Sequence, residues 1–187
     1  MTKCVLSMTL LAVASFAQIG LSGEPITDLK DFEAELGTWT REWELNNDHP
    51  ILGKKGTKVK TVVTKEWGPG KKFILSRGVN HANGKQSDGF WSLTGIDPAT
   101  KQVTTHAFAP TGGRGIRRWF RDTETKNKRI SQSQWIAGNG NVGAGVRVVE
   151  DQHADTQISQ WVGGMFNGEF SEGDGSINTW TRVKSEK

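Results

Sequence analysis

Cysteine is almost absent from this chain, which has one Cys, no Tyr, five Pro and no long unbroken apolar run in 187 residues. Each shortage excludes something. The lone Cys4 stands ahead of the apolar segment Val5–Phe16 and lacks the small-residue lead-in of a lipoprotein site. That segment, with Lys3 before it and Ser15-Phe16-Ala17 after it, reads as a secretory signal over residues 1–23, cleaved after Ala17 or near Ser22/Gly23. Removing it leaves no cysteine, so disulfides, thiolate metal ligands and a cysteine nucleophile are excluded. The apolar run is also broken by Ser7, Thr9 and Ser15, and falls short of the ~20 residues that span a bilayer. Dense tracts of one charge are missing too. Lys3 is the only charge before Glu24, so cleavage leaves 23 basic against 20 acidic side chains, spread along the chain. No nucleic-acid footprint is expected from that distribution, and no membrane association after signal cleavage. The sequence predicts an exported protein, periplasmic or extracellular, and leaves its oligomeric state open.

Tryptophan is plentiful, with eight residues, and so is glycine, with 23. From residue 24 to the end the pattern predicts one domain. Thr27 offers an N-cap for a short helix over Asp28–Leu36, with Leu29, Phe32 and Leu36 at helical spacing and Gly37 as its stop. After it, about ten short strands alternate with turn signals every 8–12 residues, which is sandwich or barrel patterning. Trp39, Arg41, Trp43 and Leu45 share one face of the first, and Val59, Thr61, Val63, Lys65 and Trp67 share one face of the second. Short connections favour an antiparallel up-and-down meander, and closure into a barrel removes its exposed edges.

Three stretches carry a likeness: Leu36-Gly37-Thr38-Trp39, the run from Lys65-Glu66-Trp67-Gly68-Pro69-Gly70 into Phe73-Ile74-Leu75, and Gly95-Ile96-Asp97-Pro98-Ala99-Thr100-Lys101. With Ala107-Phe108-Ala109-Pro110-Thr111-Gly112-Gly113 they resemble the calycin-like (lipocalin-like) secreted bacterial domains of unknown function, sometimes found beside SnoaL-like domains. The resemblance covers nearly all of the chain after the signal and implies a mainly β, antiparallel, up-and-down barrel with no established activity. It also implies a structural latch, in which Trp39 floors the barrel and Arg182 of the last strand lies across its ring. The chain departs from the haem-binding nitrobindin branch, since no late strand carries a histidine suited to an axial ligand and His153 falls in a turn.

Arg114-Gly115-Ile116-Arg117-Arg118-Trp119-Phe120-Arg121 is the sharpest candidate for chemistry. On a strand Arg114 and Arg118 share one face, Arg117 and Arg121 the other, so at least one arginine points inward. A buried guanidinium needs an anionic partner: a ligand head group, or one of Glu42, Glu44 and Glu66. The alternative is a wet position at the rim. His106, between Thr104 and Phe108, is a further lumen candidate. Ser131 and Ser133 share one strand face and Gln132 and Gln134 the other, which suits either a partly polar lumen or a flattened, solvated barrel. Gly138-Asn139-Gly140-Asn141-Val142-Gly143 fits a loose G-x-G-x-x-G, but leads into a strand and reads as turn chemistry.

These readings predict non-catalytic binding or carriage of a small amphipathic or anionic molecule near Arg41, Arg117, Arg118 or His106. No cofactor, metal site or catalytic set is predicted. The rival from another class is an isomerase, cyclase or hydratase using His106 or Asp97 beside an arginine. A third is a structural module of the cell envelope.

Overall fold

A computed structural model describes residues 23–184; the segment expected to be a signal, apart from Gly23, lies outside the described residues. Twelve strands form one sheet: β1 (Gly23–Pro25), β2 (Gly37–Glu44), β3 (Lys58–Trp67), β4 (Phe73–Ala82), β5 (Lys85–Ile96), β6 (Val103–Phe108), β7 (Arg114–Asp122), β8 (Lys128–Ile136), β9 (Val142–His153), β10 (Thr156–Phe166), β11 (Glu169–Glu172) and β12 (Ile177–Arg182). Ten of them close a barrel in the order β7-β6-β5-β4-β3-β2-β12-β10-β9-β8, with β8 returning to β7. Every pairing is antiparallel, and β2 to β10 follow one another as a meander. The two remaining strands extend the wall. β1 pairs with the far end of β7, and β11 lies on the same edge of β10 as β12, opposite its second half.

The expected helix is a correction. Residues Leu29–Glu35 form a 3-10 helix capped by Asp28, whose side chain accepts from the Lys30 amide at 2.9 Å. Its buried residues are Leu29, Phe32 and Glu35. A three-residue interval places them in line at three residues per turn, whereas the Leu29, Phe32, Leu36 spacing suggested an α-helix. That buried edge closes one end of the barrel. Leu29 and Phe32 pack with Ile26, Ile74, Val103, Trp119 and Val149 in a continuous apolar floor.

Several strand ends also differ from expectation. Asn83-Gly84, both at positive φ, turns β4 directly into β5, so both strands run longer than their apolar patterns suggest. Gly163-Gly164-Met165-Phe166, glycine-rich though it is, is the end of β10 and is held by β11. His153 is the last residue of β9 rather than part of a turn. At the other end of the barrel Leu45 and Leu52, from the β2–β3 connection, are buried with Val59 and Ala82. This second cluster plugs the β2–β4 side and leaves the β5–β8 side of the mouth uncovered.

The barrel seam is short where β12 meets β2, with Thr181 opposite Thr40 and Arg182 opposite Trp39. Side chains strengthen it. The Arg182 guanidinium lies 4.4 Å from the centre of the Trp39 ring and donates to the carbonyls of Ala34, Leu36 and Ala154. Trp39 is 4 % exposed and donates its indole N–H to the Glu35 carbonyl at 2.8 Å. Arg182 thereby ties the last strand to the C-terminal end of the 3-10 helix.

Candidate functional site

Side chains alternate across a strand, so the register of one strand fixes which residues line the interior. On β2 these are Trp39, Arg41 and Trp43; on β7, Arg117 and Trp119; on β8, Ser131, Ser133 and Trp135; on β9, Arg147 and Val149. Of these, Trp39, Arg41, Arg117, Trp119, Arg147 and Val149 border an inner chamber of about 210 Å³ above the floor. A wider vestibule of about 630 Å³ opens from it toward the mouth. Phe90, Ser92, Thr105, Arg117 and Arg147 border both and form the neck between them.

The floor of the chamber is electrically closed. Glu35, from the 3-10 helix, accepts from Lys65 on β3 and Arg129 on β8. Arg129 also grips Asp151 with one terminal nitrogen, 2.8 and 3.0 Å from its two oxygens. Two carboxylates thus face two cations. Burial alone would raise the Glu35 pKa, but Lys65 and Arg129 hold it at about 2. Burial works against the Arg129 cation, and Glu35 and Asp151 more than offset it, raising its pKa above the ordinary value. Arg129 also covers the Phe32 ring at 5.0 Å. None of the three carboxylates considered from sequence supplies this internal partner; Glu42, Glu44 and Glu66 take the other face of their strands.

Above the floor the balance changes. Arg41, Arg117 and Arg147 all face the chamber, and among the described residues no carboxylate forms an ion pair with any of them. Each rests on an indole instead. Arg41 lies between Trp43 and Trp180, at 5.5 and 5.0 Å, Arg117 over Trp119 at 5.4 Å, and Arg147 over Trp161 at 6.0 Å. Their hydrogen-bond partners are neutral: Asn178 for Arg41, Ser133 for Arg117 and Ser159 for Arg147, the last two at a long 3.3 Å. The Arg41 Nε is buried with no hydrogen-bond partner. Burial, and then the neighbouring Arg147 charge, lower the pKa of Arg41 and push that of Arg117 down to about 10; burial lowers that of Arg147. A guanidinium held in this way keeps its charge without neutralisation, and desolvating a cation without an anion is expensive.

The vestibule is aromatic. Trp135 and Trp161 meet edge to face with ring centres 5.9 Å apart. Both rings lie against glycines of β9: a Cβ on Gly143 would fall 2.3 Å from the Trp135 ring, and one on Gly145 would fall 1.8 Å from that of Trp161. Phe90 sits likewise on Gly78, where a Cβ would approach to 2.4 Å. These glycines let large rings lie against the wall and keep the vestibule open.

Of the residues expected to bind a ligand, Arg41 and Arg117 line the chamber. Arg118 and His106 do not: Thr105 and Arg117 take the inward positions, so their neighbours face outward. His106 is exposed beside Leu93 and Ile116. Asp97, named for the enzymatic alternative, is in the exposed β5–β6 turn, where its carboxylate accepts from the amides of Ala99 and Thr100. Sequence patterning alone does not single out Arg147, Glu35 or Trp161. A signal for Arg147 was present, because it sits on the same strand face as Gly145 and Val149, where an apolar residue is the norm. Glu35 had no such signal, since its burial follows from the 3-10 geometry.

Among the described residues no group of three His, Cys, Asp or Glu side chains is placed to hold a metal ion, and no helix is long and apolar enough to cross a membrane. Compared with models of known protein families the chain matches none, and no curated protein shows significant similarity to it.

Proposed function

We propose that this chain is a non-catalytic binding or carrier protein of calycin type, acting outside the cytoplasm, that holds a small anionic, amphipathic molecule in its barrel. The observation that carries this reading is the set Arg41, Arg117 and Arg147, three cations resting on indoles and, among the described residues, in no ion pair with a carboxylate. A protein that needed only a filled core gains nothing from them, because apolar residues of similar volume are commonly neutral or stabilising at such positions. The aromatic vestibule suits the apolar part of the ligand and the chamber its acidic head. The closed ten-stranded antiparallel barrel, with Trp39 at its floor beneath Arg182, supports the calycin assignment. Export rests on the signal-like leader and on the lack of cysteine after it.

The test is denaturing extraction of protein purified from its native host, with mass spectrometry of the released small molecules. An acidic compound recovered in near-stoichiometric amount is expected from wild type and not from an Arg117→Met/Arg147→Met double variant that still folds. Wild-type protein that releases nothing, and whose tryptophan fluorescence ignores added aromatic anions, would overturn the reading.

A further inference from the structure

We infer that the head group taken by the chamber is a dianion of the phosphomonoester type, joined to an aromatic body that rests in the vestibule against Trp135 and Trp161. This deepens the anion-binding reading above and depends on it.

Charge balance comes first. Glu35 and Asp151 are matched by Lys65 and Arg129 at the floor, so they have no charge to spare for the three guanidiniums above. Among the described residues Glu35 is the only acidic one bordering the chamber, and none borders the vestibule. A carboxylate or sulfonate head answers one of three cations, whereas a phosphomonoester, which carries nearly two charges at neutral pH, answers two. Hydrogen-bond capacity points the same way. A guanidinium has five N–H donors, and the partners named above leave most of them unused, the buried Arg41 Nε included. A carboxylate accepts about four hydrogen bonds, and three terminal phosphate oxygens accept more. Arg pairs with such oxygens bidentately, through two parallel bonds.

Placement supplies the orientation. Arg117 and Arg147 border both compartments, while Arg41 borders only the inner one. A head group at the neck therefore meets Arg117 and Arg147 first and Arg41 from below. The body attached to it must trail into the vestibule, where two indoles meet edge to face and the glycines behind them hold the rings back. Flat indole faces reward a flat ring more than a flexible chain.

Three probes with one ring system separate the possibilities: 1-naphthyl phosphate, 1-naphthalenesulfonate and 1-naphthoate, titrated by tryptophan quenching in buffer free of phosphate and sulfate. The phosphate ester is expected to bind at least tenfold more tightly than the other two at pH 7.5. Its affinity should fall about tenfold by pH 5, as the second ionisation near pH 6 is lost, while that of the sulfonate stays level. The charged groups bordering the chamber are Glu35, Arg41, Lys65, Arg117 and Arg147, with Arg129 and Asp151 behind Glu35. Arg114 borders the vestibule, and among the described residues no histidine borders either compartment, so no imidazole titration competes there. Arg147→Met should reduce the preference for the phosphate to less than threefold, with Arg147→Gln as a second variant should the first not fold. Equal affinities for all three probes, or a level pH profile for the phosphate, would overturn the dianion while leaving anion binding intact. Failure of all three to bind would sink both.

Discussion

Replacing Arg117 by Met should make the empty protein more stable and a worse binder, which is opposite to what loss of a structural arginine would do. Burial first, and Arg147 second, push the Arg117 guanidinium well below its ordinary range, down to about 10, with Glu35 partly opposing. A cation whose pKa is lower in the folded than in the unfolded chain destabilises the fold. The penalty is fully present below about pH 10 and is relieved as pH climbs from there toward the ordinary guanidinium range, where the unfolded chain still holds the proton. At about 1.4 kcal/mol per pH unit it is about 3 kcal/mol at neutrality, and about 2 kcal/mol after allowing for screening by cavity water. Methionine gives up the stacking on Trp119 at 5.4 Å, about 0.5–1 kcal/mol, and the long hydrogen bond to Ser133. The net gain is about 1 kcal/mol, or roughly 2–4 °C in Tm for a domain of this size. Circular-dichroism melts at low salt, without phosphate or sulfate, measure it. Adding 1-naphthyl phosphate at a hundredfold its Kd should then stabilise wild type by about 2.7 kcal/mol and the variant by much less, so that the order of the two midpoints reverses. Arg118→Met, on the outer face, is the control and should move Tm by about 1 °C or less. If the Arg117→Met protein melts below wild type in the absence of anions, the claim that Arg117 is an uncompensated charge is refuted.

Glu35→Gln should destabilise by about 3 kcal/mol at pH 7, because it strands Lys65 and Arg129 without their shared carboxylate. Glu35 is held at about 2 against an ordinary 4.5, so its contribution is complete above pH 4.5 and is lost as pH falls toward 2. The gap between wild type and variant in urea titrations should therefore close over that range, and a constant gap would contradict the floor network. Arg182→Met should cost about 1–3 kcal/mol and speed hydrogen exchange at the Val183 amide, which donates to the Thr38 carbonyl at 2.8 Å across the seam; unchanged exchange there would dismiss the latch. Gly145→Ala places a methyl 1.8 Å from the Trp161 ring, so the indole must swing into the vestibule. A shifted tryptophan emission maximum and at least tenfold weaker binding of the naphthyl probes are expected, and wild-type affinity would show that the body of the ligand lies elsewhere.

What could be read from the sequence follows from how local each feature is. Strand alternation is a two-residue property, so Arg41 with Trp39 and Trp43, and Arg117 apart from Arg118, were assigned to faces from neighbours alone. Which of the two faces turns inward is a property of closure. On β7 that choice admits Arg117 and excludes Arg118; on β6 it admits Thr105 and leaves His106 in water. The ten barrel strands announce themselves by Gly, Pro, Asn and Asp at their ends, but β1 and β11 are three and four residues long and exist only because β7 and β10 offer free edges. The type of the helix is set non-locally as well. Leu29, Phe32 and Leu36 fit an α-helical stripe, and burial of Glu35 in place of Leu36 depends on Lys65 and Arg129, which are 30 and 94 residues away.

The same non-local logic explains why the cavity keeps its charge. Arg41, Arg117 and Arg147 come from strands β2, β7 and β9, and the strand pairings place each on an indole from its own strand or a neighbouring one. An indole face lowers the free energy of a cation without neutralising it. A carboxylate in the same place would have satisfied the guanidinium and closed the site, as Glu35 and Asp151 do for Arg129 one layer below. The barrel thus uses both solutions within one lumen, neutralisation at the floor and aromatic support above it, where the proposed anion would enter. Exchanging them is the decisive perturbation: Ser133→Asp, opposite Arg117 at 3.3 Å from its Nε, should supply the missing counter-charge, raise Tm and abolish anion binding together. A variant that gains stability yet binds the naphthyl phosphate as before would show that Arg117 is not where the anion goes.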